Sequence, residues 1–215
     1  MTTAKICGLN DAVSMSAALD GGASHVGLVF YEKSPRAVKA ADAAALGMLA
    51  RNRAIRVGLF VNPTDDYLDM ILNYVELDLI QLHGSETPER VAKIASKTEK
   101  SVMKVIPVAE RKDVKNAESY FEVADWLLFD TKPPDTLESA LPGGNAITFD
   151  WKLLSGKILP LPWMLAGGLS ANNVADAIRI TRAPVVDTSS GAEDHPGVKN
   201  PHKIRSFLKE VENCK

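Results

Sequence analysis

The feature that most limits how this chain can fold is a rhythm. Eight short apolar runs, separated by stretches long enough for a helix, recur from one end to the other. They lie at residues 4–7, 25–30, 55–61, 77–82, 101–108, 124–130, 163–166 and 183–187. Several, such as Val57-Gly58-Leu59-Phe60-Val61, are apolar nearly throughout instead of alternating, which suits strands covered on both faces. Thr87-Pro88, a cap followed by proline at the first helical position, precedes Val91, Ile94 and Ala95. Ser170 is expected to cap a helix carrying Val174, Ala177 and Ile178. Ile204, Phe207, Leu208 and Val211 fall on one helical face, and residues 37–49 are rich in alanine. Strand alternating with helix predicts an α/β fold with one parallel sheet. Eight such units predict a closed (β/α)8 TIM barrel, one domain over residues 1–215. Typical barrels need roughly 250 residues, so the helices and lower loops must be short. An open doubly wound sheet is the competing architecture, but no Gly-x-Gly-x-x-Gly follows the first run.

Charge and cysteine content narrow the function classes. Lysine plus arginine number 25 against 27 acidic residues, a net charge of −2, so no bulk positive field favours nucleic acid or a membrane surface. The two cysteines, Cys7 and Cys214, stand at opposite ends of the chain and offer no disulfide framework. No apolar run approaches the length of a membrane span, and no signal-peptide pattern opens the sequence. A cytoplasmic protein is expected.

In a (β/α)8 barrel the functional side chains gather at the C-terminal ends of the strands. Those ends here include Cys7, Arg36, His83, Asp130, Gly167-Gly168 and Ser189-Ser190-Gly191. The glycines at 167 and 168 and the segment Asp187-Thr188-Ser189-Ser190-Gly191 give the best phosphate signal, because glycine lets backbone N–H groups approach an anion closely. The competing reading is a pair of tight turns. Asp130 closes an apolar strand, where a carboxylate without a partner is costly. The four histidines form no zinc pattern; His83 and Glu86 are too few for a metal, and none is expected. Residues 131–145 form the longest irregular stretch, rich in proline and glycine.

Ten segments in order carry a likeness to a known family. They are Lys5-Ile6-Cys7-Gly8-Leu9, Gly27-Leu28-Val29-Phe30-Tyr31, Lys33-Ser34-Pro35-Arg36, Val57-Gly58-Leu59-Phe60-Val61-Asn62 and Gln81-Leu82-His83-Gly84. The later half adds Phe129-Asp130-Thr131, Phe149-Asp150-Trp151, Leu165-Ala166-Gly167-Gly168-Leu169, Val186-Asp187-Thr188-Ser189-Ser190-Gly191 and Pro196-Gly197-Val198-Lys199. Across nearly its whole length the sequence resembles the phosphoribosylanthranilate isomerases of tryptophan biosynthesis. Two departures stand out: Gly143-Gly144-Asn145-Ala146 replaces a Gly-Gly-Thr-Gly pattern, and Thr188 stands where valine is usual.

The resemblance implies a cofactor-independent Amadori rearrangement of N-(5-phosphoribosyl)anthranilate to 1-(2-carboxyphenylamino)-1-deoxyribulose 5-phosphate. It assigns Cys7 as general base and Asp130 as general acid. Arg36 would meet the anthranilate carboxylate and His83 would contact substrate, while Gly167, Gly168, Asp187, Ser189, Ser190 and Gly191 would hold the phosphate. A monomer acting on a small phosphosugar is expected. An ordinary cysteine is only about 3% thiolate at pH 7, so Cys7 needs a nearby cation, for which Lys5 is the candidate. An ordinary aspartic acid needs a bias of about 4 kcal/mol to be half protonated there, which burial beside Trp126 and Leu128 favours. Other phosphosugar enzymes with this barrel would instead want lysine and glutamate, or several metal-binding histidines. A non-catalytic phosphate sensor would be expected to lack Cys7 or Asp130.

Overall fold

The structure, a computed structural model, describes residues 1–133, 143–144 and 148–214. All eight apolar runs become parallel strands: β1 (Thr3–Cys7), β2 (His25–Val29), β3 (Ile55–Phe60), β4 (Leu79–Leu82), β5 (Ser101–Val108), β6 (Trp126–Thr131), β7 (Trp163–Leu165) and β8 (Val185–Thr188). They pair in sequence order, and β8 returns to β1 to close the barrel. The doubly wound alternative is thereby excluded.

Around the sheet run α1 (Ala12–Asp20), α2 (Ala40–Ala50), α3 (Asp65–Tyr74), α4 (Pro88–Thr98), α5 (Arg111–Lys115), α6 (Val174–Thr181) and α7 (Pro201–Asn213). The helical layer is thin where the sequence left least room. Five-residue α5 continues into a 3-10 turn at Asn116–Tyr120, and another at Trp151–Leu154 precedes β7. Thr87 caps α4 as expected, its hydroxyl accepting from the Arg90 N–H at 3.3 Å. Ser170 does not cap α6. The helix starts later, with Asn173 at its N-cap, and the Asn173 Oδ1 instead accepts the Ser170 N–H at 2.8 Å.

Strand alternation sorts the apolar residues into two layers. One set, including Ile6, Leu28, Ile80, Ile106, Phe129 and Val186, packs outward against the helices. A separate cluster of Val57, Leu79, Met103, Val105, Leu128, Met164 and Val185 fills the barrel interior, and above it Cys7, Val29 and Leu59 form a small third group. Beyond β8 a short antiparallel hairpin, β9 (Glu193–His195) and β10 (Val198–Lys199), leads into α7. Among the described residues no helix is long and apolar enough to cross a membrane.

Candidate active site

Above the third cluster the barrel opens into a cavity of about 490 Å³. Cys7, Arg36, His83, Asp130, Asp187 and Ser189 all line it, together with Val29, Tyr31, Leu59, Gln81, Gly143 and Gly144. Residues from six different strand ends and the segments that follow them therefore meet in one space.

Cys7 ends β1 on its inward face and is buried, with Gly27 of β2 as its register partner. Two positions earlier, Lys5 points the same way and is fully buried. The β1–β8 register sets Lys5 opposite Asp187, and its Nζ donates to the Asp187 Oδ1 at 3.0 Å. Burial opposes the charge on Lys5, but Asp187 and Cys7 outweigh it and hold the ammonium in its charged form. Burial pushes the Cys7 thiol up; Lys5 and Lys199 pull it down, and Asp187 adds to the upward push. The net direction is up. Lys5 thus does not make Cys7 a resident thiolate, because burial outweighs its pull and Asp187 offsets part of it.

That pairing also corrects the role expected of Asp187. Its side chain turns into the cavity toward Lys5, whereas Thr188 beside it turns away to donate to the Leu169 carbonyl at 2.7 Å. A carboxylate committed to Lys5 is no anion ligand, so Asp187 leaves the phosphate set.

Asp130 projects from β6, which lies three strands around the barrel from β1. Its Oδ1 accepts the Thr131 N–H at 2.8 Å, and its Oδ2 lies 3.2 Å from the Nε2 of His83. His83 is steadied from the other side by Gln81, whose Nε2 lies 3.3 Å from Nδ1. A glycine is needed directly above: a Cβ at position 143 would come within 2.7 Å of the Asp130 Oδ2 and 2.6 Å of the His83 ring. Asn145 and Ala146, where the sequence departs from the family pattern, and most of the irregular stretch 131–145 lie outside the described residues.

Arg36 is more committed than expected. Its Nε and Nη2 grip the Glu193 carboxylate at 2.7 and 2.8 Å, and Nη2 also reaches the Gly144 carbonyl at 3.3 Å. Glu86 is likewise engaged, by Lys104 at 2.8 Å and by the N–H groups of Asn62 and Gly84. These contacts give Glu86 a structural role. Among the described residues no cluster of metal-ligating side chains forms.

The glycine turns after β7 and β8 pack together. Gly167 and Gly168 both adopt left-handed backbone, at φ +90° and +61°. A Cβ on Gly191 would run into the Leu169 carbonyl, so only glycine lets the two turns touch. The N–H groups of Gly168, Ser189 and Ser190 find no protein acceptor among the described residues.

Residues 4–210 match the sequence model of the family described as N-(5'phosphoribosyl)anthranilate (PRA) isomerase. The chain belongs to the PRA isomerase family. A PRA isomerase of Paracoccus denitrificans is 52% identical over 204 residues, covering 95% of this chain and 94% of that one. One of Paramagnetospirillum magneticum is also 52% identical, over 205 residues with the same coverage. Among solved structures, the PRA isomerase of Thermotoga maritima superposes with a TM-score of 0.86 at 35% identity, covering 99% of this chain and 100% of that one. A PRA isomerase in complex with reduced 1-(o-carboxyphenylamino)-1-deoxyribulose 5-phosphate superposes at 0.83, with 33% identity and the same coverage. The barrel described above is therefore that of an isomerase of tryptophan biosynthesis.

Proposed function

We propose that this PRA isomerase works by acid–base catalysis across the cavity, with Asp130 as acid and Cys7 as base. The observation that carries the reading is that both side chains, from β6 and β1, line the same cavity. Asp130, as the acid, gives a proton to the furanose ring oxygen as the C1–O bond breaks, and the anthranilate nitrogen lone pair forms a Schiff base. The Cys7 thiolate takes the proton from sugar C2, and the C2–H electron pair moves toward the cationic imine to give an enolamine. Tautomerisation then yields the ketone. Each proton transfer to or from a well-placed side chain contributes roughly 10²–10⁴-fold. His83, held against Asp130, fixes the direction of the acid and forms part of the substrate-facing wall.

The phosphate is held at the paired turns by Gly167, Gly168, Ser189, Ser190 and Gly191, chiefly through backbone N–H groups without protein acceptors. Arg36 keeps Nη1 for the anthranilate carboxylate, since Nε and Nη2 are taken by Glu193. The residues that line the cavity all come from one closed barrel, in keeping with a single-domain enzyme that acts as a monomer. The decisive assay adds purified protein to N-(5-phosphoribosyl)anthranilate in the presence of a metal chelator. Loss of the substrate's anthranilate fluorescence is expected; unchanged fluorescence overturns the cofactor-free mechanism.

A further inference from the structure

The hairpin after β8 carries a charged cluster that the acid–base chemistry does not use. Lys199 and Glu193 are buried there, and so is Arg36. The two cations share one carboxylate. Arg36 grips Glu193 through Nε and Nη2, and the Lys199 Nζ donates to the Glu193 Oε1 at 2.7 Å. Lys199 then reaches on to the Ser189 carbonyl at 2.9 Å and the Ser189 Oγ at 3.3 Å.

One side of this cluster is thus the side chain that faces the anthranilate end of the cavity. The other side is the turn that faces the phosphate. Their sequence separation is large: Glu193 lies 157 positions after Arg36. The hairpin is pinned so that the spacing holds. The Asn10 Nδ2 donates to the Gly197 carbonyl at 2.9 Å, and the Lys203 Nζ to the Glu193 carbonyl at 2.7 Å. Gly197, at φ +84°, lies so close to Pro35 that a Cβ would strike the Pro35 carbonyl. The residue preceding Arg36 therefore rests on the hairpin that carries Glu193 and Lys199.

We propose that Glu193 and Lys199 are positioning residues that form a buried bridge between the two anion-binding ends of the cavity. Glu193 orients the Arg36 guanidinium, and Lys199 holds the Ser189 turn. One carboxylate against two cations leaves a surplus positive charge beside the cavity, matched to a substrate with an anionic group at each end. Such charge is effective because it is fixed and shielded from water. The inference rests on the assignment of the two ends given above.

The test uses inhibition of the whole enzyme by the two halves of the substrate, inorganic phosphate and anthranilate, alongside steady-state kinetics. Lys199→Met keeps the stem and removes the charge, leaving Arg36–Glu193 intact. It should raise KM and the phosphate inhibition constant by about tenfold, the scale of one charge-assisted hydrogen bond. The anthranilate constant and kcat should stay within about threefold, on the view that the bridge acts on binding rather than chemistry. Glu193→Gln, nearly isosteric, raises the local positive charge but removes the carboxylate that orients both cations; weaker inhibition by both halves is expected, because orientation and not net charge is the role proposed for Glu193. Val91→Ala, on the remote helix α4, controls for loss of stability alone and should move neither constant. If both halves inhibit the parent enzyme but neither bridge variant shifts its constant beyond the control, the bridge is overturned while the site assignment stands. If neither half inhibits the parent enzyme, the site assignment falls and takes the bridge with it.

Discussion

With Cys7 as the proposed base, a buried thiol would set the pH response of this enzyme. Burial lifts the Cys7 thiol above its ordinary range despite the nearby Lys5 and Lys199, so the free enzyme near neutrality holds mostly thiol. Since kcat/KM reports ionisations of the free enzyme, it should climb as pH rises above neutral and thiolate forms. Cys7→Ser, whose hydroxyl does not ionise in this range, should remove that climb; a rise of equal slope in the serine variant would exclude Cys7 as the titrating base. At this scale the sequence was partly legible. That Cys7 and Asp130 would face one cavity could be read because a barrel gathers its strand ends there, whereas their roles came only from the family resemblance. The partners of Lys5 and Arg36 could not, because Asp187 and Glu193 reach them only through closure of the barrel and folding of the hairpin, across 182 and 157 residues. Asp187 was misassigned for the same reason: its neighbours in sequence form a turn, whereas its side chain answers to β1.

The elements behave as their patterns require where one strong signal dominates. Thr87-Pro88 marks the start of α4, and the stripe of Ile204, Phe207, Leu208 and Val211 is the buried face of α7. Helices α1 and α3 left weaker traces. α1 buries mostly small side chains, Ser14, Ala17 and Ala18 around Met15 and Leu19, and α3 buries only Leu68 and Ile71. The turns after β7 and β8 were legible as glycine and serine clusters, although their mutual contact through Gly191 and Leu169 was not. If those turns hold phosphate, a carboxylate placed there should repel it. Ser190→Asp should raise KM by at least about tenfold with a much smaller change in kcat, as expected when binding of substrate and transition state weaken together. An unchanged KM in a correctly folded Ser190→Asp variant would remove the phosphate from this corner.

The molecule as a whole carries an acid-sensitive residue in its wall. His25 begins β2, buried with its ring edge-on to Trp126 at 5.7 Å, and its Nε2 has no hydrogen-bond partner among the described residues. Burial, and then the charge of Lys5, lower its imidazole to about 4 from an ordinary 6.5. The fold thus keeps His25 neutral while the unfolded chain takes up a proton. Stability is unaffected above about pH 6.5 and falls through the interval down to about 4, by roughly 3 kcal/mol for a gap of that size. His25→Asn should flatten the decline in melting temperature between those limits; an identical decline in the variant would place the acid sensitivity elsewhere. The closed barrel was the most legible level of all, because eight doubly covered strands in so short a chain leave few other arrangements. What closure brings about is a thiol and a carboxyl in one cavity, and the turnover of two single variants tests that most directly. Cys7→Ala and Asp130→Asn should each lower kcat on N-(5-phosphoribosyl)anthranilate by at least about 10²-fold with the fold intact. A well-folded variant of either kind that turned over at the parent rate would contradict the account.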